Sequence, residues 1–325
     1  MMKGVNFASI DSKPFIPKTS LRRDPNIVLI IGNGFDLDVG MKTQYSQFAK
    51  DKSFWPFYKQ NNSEYKYLPA FLNEHANVDT WFDLESLLAD YANANNTSLN
   101  DESKQYDLKH FSILIDALGR YLKNQENLYL ERMKIPHETM AATASKEVID
   151  YIESKHNVSI YSFNYTDLRR IFNSFSFGSI SYSHVHGSLS NNDIIIGSGD
   201  SQVLHDNYFF IHKSAQPQYK SCNLVQDLLN ADEVYIFGHS LGSNDHDYFS
   251  EFFQSAINER RDFMALGKIK IRFFTYDFTS EMGIKKQLMT LTDRHLAGLY
   301  AHCDLKFYKT KNGENNLYSL KEMFI

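Results

Sequence analysis

The sequence predicts an α/β protein: a Rossmann-like, largely parallel sheet with helices on both faces and a helical insertion after the first strand. Three observations carry that expectation. Asn26-Ile27-Val28-Leu29-Ile30-Ile31 is a continuous apolar run, rich in β-branched residues and closed by Gly32, as a central strand covered on both faces requires. Strand-like and helix-like stretches alternate through the second half of the chain, and such alternation implies parallel pairing. Between the first strand and the next, about a hundred residues carry helical periodicity.

The elements follow in order. Residues 1–25 mix Pro14, Pro17 and Pro25 with charges and little periodicity, so an irregular arm is expected ahead of a single domain over 26–325. The helical insertion is expected over about 45–155. Phe71, Leu72, Trp81, Phe82, Leu84, Leu87 and Leu88 are spaced for helices there, followed by a long amphipathic stretch from Leu108 to Met133. Further strands are predicted at Val158–Phe163, Ile180–Val185, Ile194–Ile196, Val234–Phe237 and Ile269–Tyr276, with helices near 222–231, 245–260 and 279–292.

Composition narrows the function. A hydrophobic content of 42% over 325 residues supports a large core, and 25 Phe and 20 Tyr point to aromatic packing between helices. The net charge of -5 argues against a sequence-independent nucleic-acid binder, which needs a dense field of Lys and Arg. Cys222 and Cys303 sit in no ligand spacing, so neither a disulfide framework nor structural zinc is expected. The first 25 residues lack the apolar stretch of an export signal and no window reaches the length of a membrane helix; a cytoplasmic protein without a membrane partner is expected.

Four of the predicted strands end in polar residues, at the sheet edge where open α/β folds place ligands. In Gly32-Asn33-Gly34-Phe35-Asp36 two glycines tolerate positive φ and let backbone N–H groups approach an anion at a helix start; a plain tight turn with Asp36 as a cap is the alternative. Leu37 stands where a third glycine of GxGxxG would fall. Asn164-Tyr165-Thr166-Asp167 follows a strong strand, and its polar side chains either face a ligand or cap the next helix.

His184-Val185-His186-Gly187 puts two imidazoles on alternate positions of a strand end. No third metal ligand lies at a sensible spacing, so no metal is expected, and a single histidine acting as a base or ribose contact fits better. Gly238-His239-Ser240-Leu241-Gly242 fits the G-x-S-x-G nucleophile elbow, with Asp277 and then His295 or His302 in the order a hydrolase triad needs. The following Ser243-Asn244-Asp245 equally suits hydrogen bonding to a nucleotide. Glu85, on an insertion helix, either reaches over the pocket or faces solvent.

Taken together, IIGNGFDLDVGMKTQYSQF, WFDLE, SFNYTD, HVHGSL, IIIGSGD and IFGHSLGSNDHDYF resemble the bacteriophage abortive infection AbiH family, in order and spacing, over roughly residues 27–251. That family in turn resembles sirtuin-like NAD-binding proteins. The resemblance implies that Gly32, Asn33, Gly34, Phe35 and Asp36, with Gly187 and Gly238, hold the phosphates and ribose of NAD. It further implies that Asn164 sits near the nicotinamide ribose, that His186 is the base, and that Ser240 and Asp245 line the far ribose. The four-cysteine zinc module of sirtuins is missing, which argues against protein deacetylation. The acidic residue after the asparagine, Asp167, falls three positions on rather than two.

Three functions remain open at this point. The first is hydrolysis of the N-glycosidic bond of NAD or a related nucleotide by Asn164, Asp167 and His186, aborting phage growth by cofactor depletion. The second is a nucleotide-sensing module without turnover. The third is a serine hydrolase built on Ser240. A nucleotide ligand, a phage-derived trigger and self-association are the expected partners.

Overall fold

The five residues of β1, Ile27–Ile31, are all buried, and their alternation builds two different cores. In the computed structural model, which describes residues 24–58, 64–76, 83–94, 101–135, 143–172, 176, 178, 180–258 and 267–311, Val28 and Ile30 point to one face of the sheet. Ile27, Leu29 and Ile31 point to the other. This two-sided burial is why the run is continuous rather than alternating in sequence.

Six parallel strands make the sheet: β1, β2 (Val158–Ser162), β3 (Ser181–His184), β4 (Glu233–Phe237), β5 (Ile269–Thr275) and β6 (Cys303–Lys309), in the order β3-β2-β1-β4-β5-β6. That is the doubly wound order of dinucleotide-binding folds, in which the chain reverses direction across the sheet between β1 and its neighbour β4. Register is regular at the centre: Ile31 pairs with Ser162 on one side and with Phe237 on the other. The strand ends bearing Gly32, Phe163 and Gly238 therefore lie level with one another.

Helices cover both faces. On one side Val28, Ile30, Val234 and Ile236 pack with α8 (Leu224–Asn230), α9 (His246–Ile257), α10 (Phe278–Leu291) and α11 (Leu296–His302). On the other, α1 (Asn33–Asp38), α6 (Ala144–Glu153) and α7 (Leu168–Ile171) meet Ile27, Leu29, Tyr235 and Phe237. Of the two cysteines, Cys303 is buried in the first of these cores and Cys222 is half-buried beside it.

A third core belongs to the insertion. It is built from α2 (Tyr45–Lys50), α3 (Tyr67–Ala76), α4 (Leu84–Ala94) and the 33-residue α5 (Asp101–Met133), with Phe48, Trp55, Phe57, Tyr91 and Tyr121 supplying the aromatic packing that the composition predicts. The last of the inserted helices, α6, packs on the sheet as the crossover into β2 rather than in this third core. Asp107 of α5, fully buried, accepts hydrogen bonds from Tyr91 Oη, Tyr208 Oη and the Leu68 N–H, and so ties the segment around 208 to the insertion.

One expected strand is absent. Ile194–Ile196 forms no ladder; Ile194 and Ile196 are buried in the insertion core, and Gln216 and Gln218 amides bond the carbonyls of Ile196 and Ile194. The run is apolar because it is buried between helices, a signal that periodicity cannot separate from a buried strand. The expected N-terminal arm lies, up to residue 23, outside the described residues, as do Trp81 and Phe82. Among the described residues no helix is long and apolar enough to cross a membrane.

Candidate functional site

The turn after β1 lies against the turn after β4. Gly34 N–H donates to the Gly238 carbonyl at 2.9 Å, and Gly32 N–H to the Phe237 carbonyl at 2.9 Å. A Cβ on Gly34 would stand 2.6 Å from Gly238 Cα, and Gly238 itself has φ +63. Backbone thus meets backbone, and only glycine permits it. Phe35 N–H caps back onto the Gly32 carbonyl, so three N–H groups of the turn already have protein acceptors. Phe35 is buried edge-on between Phe172 and Phe237, and Asn33 accepts from Thr43 Oγ1.

Beneath the turn, Asp36 is 2% exposed and joins β1 to the end of β2. Asn164 Nδ2 donates to Asp36 Oδ1 at 2.7 Å and to the Gly32 carbonyl at 3.1 Å, while Thr166 Oγ1 donates to Asp36 Oδ2 at 2.8 Å. Burial pushes the Asp36 carboxyl up to about 7, against the opposing pull of these two donors. Two acceptors facing Nδ2 also fix the orientation of the Asn164 amide. Both of its N–H groups are committed, so Asn164 can offer a ligand only the acceptor Oδ1.

A second buried cluster lies at the same edge. Lys213, 3% exposed, places Nζ 2.9 Å from Asp245 Oδ1 and 3.0 Å from Glu85 Oε2. These three residues come from the 3₁₀ turn Lys213–Ala215, the turn leading into α9, and the first turn of α4, so the ion triad joins the insertion to the sheet. His186 Nε2 is 3.4 Å from Asp245 Oδ1 and has no hydrogen-bond partner among the described residues. His239 Nε2 is 3.3 Å from Asp245 Oδ2, and its Nδ1 accepts from the Leu241 N–H, which puts the ring proton on Nε2.

The charges in this cluster divide. Burial raises the Glu85 carboxyl to about 7, with Lys213 opposing and Asp245 reinforcing. Burial acts in the same direction on Asp245, but the Lys213 ammonium, with the hydrogen bond from His239, overcomes it and holds that carboxyl well below the usual range. Lys213 is desolvated too, yet the two carboxylates keep it above its ordinary value. His186 falls to about 3 through burial, with the Lys213 charge adding to the effect, so its ring is neutral. Phe163 and Tyr248 flank that ring, at centroid distances of 5.2 and 5.9 Å.

The structure therefore brings Asp36 to Asn164, and His186 to Asp245, with Glu85 reaching over from the insertion. Other sequence-predicted residues lie apart in their contacts. Asp167 caps α7 through the Arg169 N–H and accepts from Ser190 Oγ. His184 bonds the Asn164 carbonyl and Tyr182 Oη. Gly187, at φ +75, turns the chain so that Ile195 N–H reaches the His186 carbonyl.

Ser240 is exposed. His239 faces Leu241 and Asp245, Asp277 caps α10, and His295 Nδ1 contacts the Thr292 carbonyl. Sequence reasoning missed Lys213, His239 and Thr166. His239 and Thr166 lie inside the motifs already singled out, whereas nothing in Ile211-His212-Lys213-Ser214 marks a buried ammonium. No group of three His, Cys, Asp or Glu side chains among the described residues is arranged to hold a metal ion.

No curated protein and no solved structure matches the chain. A family model does, over residues 28–265, a span that runs from β1 through the insertion and past α9 and contains Asp36, Glu85, Asn164, His186, Lys213 and Asp245. The chain belongs to the bacteriophage abortive infection AbiH family.

Proposed function

We propose that this abortive infection protein hydrolyses the N-glycosidic bond of a pyridinium nucleotide such as NAD, using Asp245 and Glu85. The observation that carries this reading is the pair of buried carboxylates pushed to opposite protonation tendencies beside one edge of a doubly wound sheet. Pairs separated in this way are how acid–base chemistry is divided between two carboxyl groups, and sugar–base hydrolysis asks for such a division.

In that reaction the bond between the anomeric carbon and the ring nitrogen breaks, and its electron pair leaves with the base, which departs as neutral nicotinamide. Positive charge develops on the ribose. Asp245, ionised at neutral pH, stabilises it. A water oxygen bonds to the anomeric carbon and its proton passes to Glu85, whose value near 7 suits a general base. Water and the nucleotide thus give a free ribosyl hydroxyl, nicotinamide and one proton. His186, uncharged, is a weak base and instead packs against Asp245, while Asn164 offers Oδ1 to a ribose hydroxyl.

Purified protein incubated with NAD is expected to release nicotinamide, and Glu85→Gln and Asp245→Asn to lower the rate by at least about 100-fold. Equal rates in wild type and both variants, or no release by any of them, would overturn the assignment. A second reading has support in the ion triad, which joins α4 to the turn before α9. A ligand that separates these elements would move the insertion and act as a signal without turnover. Nucleotide binding that raises the melting temperature with no nicotinamide released distinguishes it.

A further inference from the structure

The Glu85 and Asp245 oxygens lie within 3.0 Å of a single Nζ. They are therefore no more than about 6 Å apart. Only one cation fits between them. The ammonium that fills the gap belongs to neither core helix nor strand: Lys213 lies on a short 3₁₀ turn, after a single bridge between Ser198 and His212. With His186 neutral and Lys213 removed, the seat keeps the negative charge of Asp245, while Glu85, which burial and Asp245 already push up with the ammonium in place, takes up a proton.

His186, with two aromatic rings at its side, lies next to Asp245. Phe163 and Tyr248 present their rings beside His186, and His186 Nε2, on a residue only 4% exposed, has no hydrogen-bond partner among the described residues. A buried ring nitrogen without a partner is costly and is satisfied when a ligand supplies one.

We propose that Glu85 and Asp245 form a seat for a cationic ring, filled in this structure by the Lys213 ammonium, and that a pyridinium group enters by displacing Lys213. The choice of a pyridinium rests on the N-glycosidase reading; the seat itself rests on the ion geometry. Lys213 then keeps the carboxylate pair closed in the absence of ligand, and a neutral base of the same shape is rejected because it leaves the buried Asp245 charge without a cation.

The test compares 1-methylnicotinamide, a cation, with neutral nicotinamide as additives in thermal unfolding of wild type and Lys213→Met. The cation is expected to raise the melting temperature of Lys213→Met by several degrees and that of wild type by less, with nicotinamide moving neither. Equal shifts from the two compounds, or no shift of Lys213→Met by the cation, overturn the seat. Should Lys213→Met not fold, calorimetric titration of wild type with NAD and with NADH reads the same property, since the two differ in ring charge. At least about tenfold tighter binding of NAD is expected; equal affinity, or no binding of NAD, is the contrary result. Charge discrimination without nicotinamide release removes the hydrolase reading and leaves the seat, and release without discrimination does the reverse.

Discussion

Replacing Lys213 with Met, which retains much of the aliphatic length, leaves Asp245 and Glu85 buried without their shared cation. Lys213 is 3% exposed and its partners are 13% and 14% exposed, so water offers little relief. Breaking a buried pair by removing one partner costs about 3–5 kcal/mol. With an unfolding entropy near 0.7 kcal/mol/K for a chain of this length, the melting temperature should fall by about 4–7 °C. The loss has a specific remedy. Adding Asp245→Asn removes the stranded charge, since Glu85, already near 7 beside Lys213, takes up a proton once that ammonium is gone, so the double variant should recover at least half of it. Urea unfolding of wild type, both single variants and the double variant at pH 7.5 supplies the cycle. If the double variant loses the full sum of the single losses, the three side chains do not act as one unit and the triad is an incidental contact.

Asp36 sets a pH dependence. Its folded value near 7 exceeds its ordinary 3.8, so the folded state binds that proton more tightly; the stabilisation is present below about pH 4 and is lost as pH rises to 7. Glu85 acts with the same sign. Wild type should therefore lose stability between pH 5 and 8, and Asp36→Asn should lose less, as read from urea midpoints at the two pH values. Gly34→Ala should cost at least about 3 kcal/mol or prevent folding, because its Cβ would meet Gly238 Cα at 2.6 Å and no side chain can move aside. Ser240→Ala should leave nicotinamide release unchanged and wild type should resist a fluorophosphonate probe; labelling of Ser240 would restore the serine-hydrolase reading.

Much of the fold was legible because burial left a clear record in sequence. β1 and β4 read as strands through unbroken apolar runs, and their glycine ends marked where the sheet edge begins. Asn164, His186 and Asp245 could be placed at that edge for the same reason. Ile194–Ile196 was misread because burial between helices and burial in a sheet give the same apolar run. β6 left a weaker signal: as an edge strand it carries Asp304, Lys306 and Lys309, and its Asp304 pairs with Arg272. The glycine turn suggested an anion cradle, while the structure accounts for Gly34 and Gly238 by their mutual approach. Lys213 could not be found at all, since its partners lie 128 residues before it and 32 after it in the chain.

Cofactor loss in infected cells is the direct consequence of N-glycosidic hydrolysis. Bacteria expressing the wild-type protein, Glu85→Gln or Asp245→Asn at matched levels are infected with a phage that the wild type resists, and NAD and free nicotinamide are measured through the infection. NAD should fall and nicotinamide rise with wild type before lysis, and both should stay at uninfected levels with either variant. Phage resistance by wild type with NAD unchanged would contradict it.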